Sequence, residues 1–374
     1  MLRAALPLVD VERAVLASHD AGTLDDPRIA AFAAGHPSPN GESVRAAEVA
    51  LALAVESRRR GGLLVLLSGG ASAMLAAPVA GVDLAAKLET ARLLMRAGAA
   101  IDELNCVRKH LSRIKGGRLA AAAGTTVTLA LSDVHAPIAD DPSVIGSAPT
   151  IADPTTFADV AAIIGKYGLE LPASVRDHLA AGLRGEAEET VKADDPRIES
   201  SRYTVVGRRQ TAVDGARRAA VEAGYDVIVF DEVIAGEASR AGGTFVAAAL
   251  HAAAGRRRPL CVLGSGETTV TVRGNGSGGR NQEFVLASAA MLTAVRGQSV
   301  VIGSAGTDGI DGPTTAAGAL ADETTIERAR ALGLSPAAAL EQNDAFPFFA
   351  ALDDLIVWGP TGTNVGDLHV VLLA

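Results

Sequence analysis

Lysine is scarce in this chain: five residues, at 87, 109, 115, 166 and 192, stand against 29 arginines. Basic runs are short, no longer than Arg58-Arg59-Arg60 or Arg256-Arg257-Arg258, and the net charge is −9. A nucleic-acid track needs a clustered basic face, so that class is excluded. Cysteine occurs only twice, at Cys106 and Cys261, without a partner motif. No disulfide framework can be built from them, and a reducing, cytoplasmic setting is expected. Aromatics make up only 3% of the chain, so its cores must be filled by Ala, Val and Leu. No continuous apolar run reaches the roughly 18 residues of a membrane-spanning helix. The first twenty residues, MLRAALPLVDVERAVLASHD, carry acids and no cleavage pattern. They read as an amphipathic helix rather than a secretory leader. None of the seven histidines falls at H-x-x-x-H spacing or beside C-x-x-C, which removes a zinc site. There is no G-K-[ST] for a P-loop and no G-x-S-x-G elbow for an α/β-hydrolase.

What is present is a regular alternation. Short apolar runs bounded by turn residues read as buried parallel strands: 63–67, 126–132, 203–207, 226–230 and 259–264, then 267–273, 299–305, 355–359 and 369–374. Alanine-rich helical segments fall between them at 42–60, 83–99, 210–223 and 236–254. Strand alternating with helix predicts an α/β architecture. A chain of 374 residues is too long for one ordinary core. The charged, proline-bearing stretch 185–202 is the expected boundary between domains at 1–190 and 200–374.

Several segments can carry chemistry. In LLVLLSGGASAML (63–75) a buried strand runs into Ser68-Gly69-Gly70 and then a helix former. Gly69 and Gly70 would admit an oxyanion, with Ser68 and Ser72 as hydroxyl donors; a plain strand-to-helix turn explains the same letters equally well. NCVRKHLSRIKGGRLA (105–120) reads as a helix with a basic stripe that holds Lys109 and Lys115, although a solvated face is the commoner reading of such a run. Asp133, at a strand end, and Glu267, at a turn, are candidate metal ligands. His135 lacks any second ligand at metal-binding spacing. GTDGIDGPTTAAGALAD (306–322) places Thr307, Asp308 and Asp311 in a glycine-rich loop, where Asx-turns are the structural alternative.

The segment VRGNGSGGRNQEF (272–284) matches G-x-G-x-x-G through Gly274, Gly276 and Gly279. A dinucleotide fingerprint also needs a fully buried strand before it and an acid about 20 residues later. Here the preceding run is polar at alternate positions, and no Asp or Glu falls between Glu283 and Asp308. Nicotinamide cofactor binding is therefore set aside. A glycine-shaped anion cradle with Arg280 as charge stabiliser remains, which suits phosphoryl transfer.

Taken in order, SGGASAML, NCVRKHLSRIKGGRLA, LSDV, ADPTTFADV, GETTVTVRGNGSGGRNQE, GTDGIDGPTTAAGA, NDAFPFF and GPTGTNVGDL resemble the glycerate 2-kinase family, over residues 36 to 374. Its C-terminal module is the MOFRL domain, and members often bear the name hydroxypyruvate reductase. The resemblance implies a Rossmann-like N-terminal α/β domain, a C-terminal α/β domain and an active site in the cleft between them. It implies ATP and Mg²⁺ as cofactors, D-glycerate as the small-molecule substrate and 2-phosphoglycerate as product. No nucleic acid or membrane partner is implied, and a homodimer stays open. Arg280 and Asp308 carry over as catalytic residues. Ser68, Gly69, Gly70, Ser72, Lys109, Asn281, Glu283 and Thr307 carry over as substrate or phosphate contacts. Three departures are visible. The family's N-terminal G-K-A turn supplies a lysine, whereas no lysine here precedes Lys87; the strand-loop-helix unit that bears it looks missing, and Lys109 or Lys115 is left as a replacement. Ala148 stands for a glycine in VIGSAPT, and two arginines follow in VVGRRQ. An NAD(P)H-dependent hydroxypyruvate reductase and a catalytically inactive binding homologue are the alternatives.

Overall fold

The computed structural model describes residues 1–19, 25–135, 138–295 and 297–374. The chain forms two compact units: Met1–Ala130 with Asp140–Val206, and Leu131–Ala139 with Gly207–Ala374. The chain thus changes unit at 206/207, and the short segment after residue 130 also belongs to the second unit.

In the first unit, β1 (Ala14–Ser18) and β2 (Ile29–Ala33) form a parallel pair. A second sheet has the order β3 (Leu63–Leu67), β4 (Thr126–Leu131), β5 (Ser201–Gly207), with β3 and β4 parallel. The N-terminal helix expected over the first twenty residues is not formed. Helix covers only Leu2–Ala5, and residues 14–18 are strand. Pro7 lacks the N–H that a continuing helix needs, and the apolar Val15-Leu16 pair finds a parallel partner in β2 instead. Residues 20–24, in the stretch where the family's lysine-bearing unit is expected, lie outside the described residues, as do 136–137 of the Asp/Pro loop.

The helices of this unit start on side-chain caps that satisfy otherwise unpaired N–H groups. Asn40 accepts from the Ser43 N–H at 2.9 Å to start Gly41–Ser57, and Asp83 accepts from the Ala86 N–H at 2.7 Å to start Leu84–Arg96. The segment expected as one helix over 105–120 is two, Ile101–His110 and Arg118–Ala123. Gly116 and Gly117 separate them at φ +58° and +79°, a left-handed path that a side chain resists. Leu94, Val107, Leu111, Phe157, Val160 and Val175 make the core beneath.

The second unit is built on one mixed sheet. Its strands are β6 (Asp226–Glu237), β7 (Leu260–Thr269), β8 (Val300–Gly306), β9 (Gly318–Asp322), β10 (Leu355–Ile356) and β11 (Asp367–Leu373). The order is β10-β9-β8-β11-β7-β6. Only β6 and β7 are parallel, because β11 inserts antiparallel between β7 and β8. The strand expected at 267–273 does not exist separately: β7 runs on to Thr269, and residues 270–279 are loop. Helices Ala238–Ala253 and Arg280–Leu292 pack closely where Gly242 meets the Phe284 carbonyl, a contact that leaves no room for a side chain. Phe245, Val262, Phe284, Ile302, Phe349 and Val371 fill the core. Cys106 and Cys261 are buried free thiols, each with its pKa pushed up to about 11 by burial. Among the described residues, no helix is long and apolar enough to cross a membrane.

Candidate active site

In the second unit the chemistry gathers where β7 and β8 end and β11 begins. Asp367 opens β11, opposite Gly266 of β7 and Gly306 of β8. Its buried carboxylate takes the guanidinium of Arg280 in a fork, Nε at 2.7 Å and Nη2 at 3.1 Å. The remaining Nη1 donates to Glu267 at 2.7 Å, and that partner is exposed at the strand end. Burial opposes the charge on Arg280, but its hydrogen bonds to Asp367 and the fields of Asp367, Glu267 and Asp311 outweigh it, so its pKa is raised. Two carboxylates therefore hold one arginine in a fixed pose, its side chain 29% exposed.

Four N–H groups of the glycine-rich loop are held internally: Arg273 and Gly274 donate to Asn343 Oδ1 at 2.7 and 3.1 Å, Gly276 to the Gln342 carbonyl at 2.9 Å, and Ser277 to Asp344 Oδ1 at 2.8 Å. A side chain on Gly274, Gly276 or Gly279 would run into Gln342, Asp344 or Asp311. The start of helix Arg280–Leu292 is capped from afar, since Asp311 accepts from the N–H of Asn281 at 3.0 Å and of Gln282 at 2.8 Å. Burial raises the pKa of Asp311 to about 6, against these donors and with the help of the Asp367 charge. What the loop delivers is the position of Arg280.

Asn281 and Glu283, expected as phosphate contacts, are internal struts. Asn281 is 1% exposed; its Nδ2 donates to Asp311 at 3.3 Å and its Oδ1 accepts from the Ser304 hydroxyl at 2.5 Å. Ser304 in turn bonds His369 Nδ1 at 2.8 Å. Because the hydroxyl proton is spent on Asn281, His369 must donate through Nδ1–H, leaving its buried Nε2 unprotonated and unpartnered. Burial lowers the pKa of His369 to about 4, with Arg280 adding to the effect and Asp367 opposing it. Glu283 accepts from Asn343 Nδ2 at 3.1 Å, and burial raises its pKa.

Thr307 latches the loop that precedes β11, donating to the Gly366 carbonyl at 2.7 Å and accepting from the Val365 N–H at 2.9 Å. Asp308 is half-buried, and its Oδ1 accepts from the Ile310 N–H at 3.1 Å. A side chain on Gly306 would come within 2.8 Å of Asp308 Oδ1 and 3.5 Å of Asp367 Oδ1, so both carboxylates stand over this glycine. Of the expected metal pair, Glu267 is engaged by Arg280 and Asp133 belongs to the segment 131–139 of the same unit; among the described residues no three His, Cys, Asp or Glu side chains gather as a metal site. His135 does approach: its buried, unpartnered Nε2 would lie 2.7 Å from a side chain on Gly366, next to Asp367.

In the first unit, Ser68-Gly69-Gly70 leads from β3 into a single turn, Ala71–Met74, with Gly70 at φ +79° against the His36 ring. One turn presents little helix dipole, and Ser72 is the residue of this segment whose hydroxyl is tied into the interior of the unit. Ser72 Oγ accepts from Lys115 Nζ at 2.7 Å and bonds Ser147 Oγ at 3.0 Å, which donates to Asn105 Oδ1 at 3.1 Å. Lys115 Nζ also donates to the carbonyls of Ser72 at 2.9 Å and Gly146 at 3.3 Å. Lys109 is 5% exposed, and its Nζ pairs with the fully buried Asp153 at 3.2 Å.

Sequence reasoning missed Asp367 and Lys87. Asp367 is the last polar residue of GPTGTNVGDL before an apolar strand, which was its signal. Lys87 lies on the helix face of Thr90 and Leu94, at spacings of three and four, so its burial was legible as a lysine in an apolar stripe.

A family model described as a domain of unknown function (DUF4147) matches residues 1–180, and one described as the MOFRL family matches 260–367. A glycerate 2-kinase of Pyrococcus horikoshii is 35% identical over 100% of this chain and 84% of its own length. A protein of Agrobacterium vitis with the provisional name of hydroxypyruvate reductase is 41% identical over 92% of this chain and 78% of its own. The crystal structure of a glycerate kinase from Thermotoga maritima superposes with a TM-score of 0.85 at 34% identity, covering 97% of this chain and 85% of that one. These matches define a two-domain α/β protein of MOFRL type. The chain belongs to the glycerate 2-kinase family.

Proposed function

We propose that this protein is a glycerate 2-kinase, moving the γ-phosphoryl group of ATP to the 2-hydroxyl of D-glycerate and releasing ADP and 2-phosphoglycerate. The observation that carries this reading is the arginine of the second unit, locked by Asp367 with one side toward solvent. Phosphoryl transfer asks the protein for positioning and charge neutralisation rather than covalent chemistry. A guanidinium fixed before the reaction neutralises the transferring group without having to reorient. Glu267 occupies Arg280 Nη1 from the exposed side, where a phosphoryl oxygen can take its place, while Asp367 keeps the fork aimed. Asp308, beside that pair, is the candidate acceptor for the proton of the attacking hydroxyl. A magnesium ion carried on the nucleotide phosphates would add charge neutralisation when bound. Such an ion keeps several waters and needs only one or two protein carboxylates. The residues do not build a dedicated magnesium cage, and no step here depends on one.

The reductase reading has less support, because no acid for a ribose stands between Glu283 and Asp308 after the G-x-G-x-x-G loop, and four of the loop's N–H groups are spent on residues 342–344. The test is a coupled assay with D-glycerate and MgATP, run beside hydroxypyruvate with NADH. ADP release dependent on D-glycerate is expected. Turnover of NADH instead, or no turnover with substrate binding intact, would overturn the kinase assignment.

A further inference from the structure

Helix Arg280–Leu292 starts without a cap of its own. Its N-cap residue is Gly279, which has no side chain to accept from the first free N–H groups. That task falls to Asp311, 30 positions beyond Asn281. Oδ1 takes the Asn281 N–H at 3.0 Å and Oδ2 the Gln282 N–H at 2.8 Å, so both oxygens of one carboxylate hold consecutive N–H groups. The Asn281 side-chain amide adds a third bond, to Oδ1, at 3.3 Å. Asp311 is 1% exposed, and a side chain on Gly279 would collide with its carboxyl group. The glycine therefore makes the room that admits Asp311, where a local serine or aspartate cap would exclude it.

The two loops interlock beyond this carboxylate. Gln282 Nε2 donates to Thr314 Oγ1 at 3.0 Å, and that hydroxyl donates to the Asp311 carbonyl at 2.8 Å. Gly312, at φ +61°, lies against the Gly278 carbonyl with no room for a side chain. The loop that carries Asp311 is closed at its own base, with the Gly306 N–H on the Ala317 carbonyl at 2.8 Å and the Asp311 N–H on the Ala316 carbonyl at 2.7 Å. Asp308 lies three residues before Asp311 in this loop, where the Gly309 N–H donates to the Gly306 carbonyl at 3.1 Å.

A cap drawn from neighbouring sequence would fix the start of the helix and nothing else. A cap drawn from the loop of Asp308 fixes that start relative to Asp308, and Arg280 is the first residue of the helix. Asp367 aims the guanidinium at the far end of the side chain. Asp311 sets the backbone from which the side chain springs. An anionic cap also suits the positive end of a 13-residue helix, and charge-assisted bonds to backbone N–H groups are the stronger kind.

We infer that Asp311 is a positioning residue for phosphoryl transfer: by clamping the start of helix Arg280–Leu292 to the loop of Asp308, it holds the arginine in register with that carboxylate. The inference rests on the kinase reading given above.

The experiment is a double-mutant cycle on the full chain, with steady-state kinetics in D-glycerate and in MgATP for the wild type, D311N, R280K and R280K/D311N. Asparagine matches aspartate in shape but offers one acceptor oxygen, and its NH2 group then faces an N–H donor. Displacing a reacting group by about 1 Å costs up to about 100-fold in rate, so D311N is expected to lower kcat about 10–100-fold with both KM values within about twofold. R280K keeps a cation on Asp367, and in that background D311N is expected to add less than about threefold, because its effect runs through Arg280. Thermal unfolding shows which variants are folded at the assay temperature. If D311N does not fold, G279A replaces it, since the added methyl group displaces Asp311 from the helix start; the same loss of kcat and the same non-additivity with R280K are expected. Equal fold-losses in both backgrounds would make Asp311 a general stabiliser and overturn the inference. Wild-type kcat in D311N, or a loss confined to KM, would overturn it too. A wild type without D-glycerate-dependent turnover would overturn the kinase reading and the inference together, which tells the two failures apart.

Discussion

Each unit holds a buried or half-buried cation cluster, and the two solve the problem of charge in opposite ways. In the second unit Arg280 is over-compensated, with Asp367 and Glu267 on its guanidinium and Asp311 close by. In the first, among the described residues Lys87 and Arg108 have no partner and Lys115 has only neutral ones. Carboxylates that fix a guanidinium sacrifice some of its pull on an incoming anion but define where it points. Burial disfavours the charged form of lysines left unpaired, and an anion that restored the charge would stabilise them. The first arrangement suits a group that must be placed for a reaction, the second a group that must hold a ligand.

The sharpest way to break this contrast is at Arg280. R280A should lower kcat by about 10²–10³, the usual loss for one preorganised charge donor, and should also cost about 3–5 kcal/mol of stability because it leaves the buried Asp367 carboxylate unpaired. R280K should fare scarcely better, since a point charge cannot bridge Asp367 and Glu267 together. If R280K keeps most of the turnover, the fork to Asp367 is not what matters.

The next effect lies in how the second unit responds to pH. His369 has its folded pKa lowered from 6.5 to about 4, so it contributes stability above pH 6.5 that is lost as the pH falls toward 4. Asp311 is raised from 3.8 to about 6, so it contributes stability at low pH that is lost as the pH rises through 6. Each corresponds to about 3 kcal/mol, and across roughly pH 4–6 they oppose one another. H369Q should therefore grow more stable on acidification through that window, and D311N less stable. Denaturant midpoints at several pH values would show it; slopes of the same sign in both variants would refute the paired assignment.

A smaller effect is expected in the first unit. K87M should gain about 1–3 kcal/mol at pH 7 for loss of an unpaired buried cation. The sign follows from the lowered pKa, which makes the wild type gain stability as the pH rises from about 7 toward 10.5. K87M should show less of that rise. The smallest change belongs to E267Q, whose own side chain is 41% exposed: at most about 1 kcal/mol of stability, read by thermal unfolding.

Much of the scaffold was legible in the sequence, and particular residues show why the rest was not. LLVLL and TVTLAL are strands at nearly the expected bounds because apolar runs of that length bury themselves in a sheet. The first twenty residues misled because Ala and Leu are strong helix formers, and β2, the partner that overrides their propensity, lies ten residues on. The spacing of Gly274, Gly276 and Gly279 looked like a cradle. Close approach to another backbone demands the same residue as close approach to a phosphate, and the partner was Gln342 to Asp344, too far along the chain to foresee. Arg280 was found because its loop sits at the end of a strand. Asp367, which aims it, lies 87 positions away. Lys109 and Lys87 show the same limit. Proximity in a basic stripe favoured Lys109, but Asp153, 44 residues later, neutralises it and leaves Lys87 as the free charge.

The most direct test of the assigned activity is ³¹P NMR of a mixture of enzyme, MgATP and D-glycerate, recorded for the wild type and R280A under the same conditions. A 2-phosphoglycerate resonance growing in step with ADP in the wild type, and slower by about two to three orders of magnitude in R280A, is the predicted result. A wild type that yields 3-phosphoglycerate or no phosphorylated product, or an R280A enzyme that matches it, would contradict the role given to Arg280.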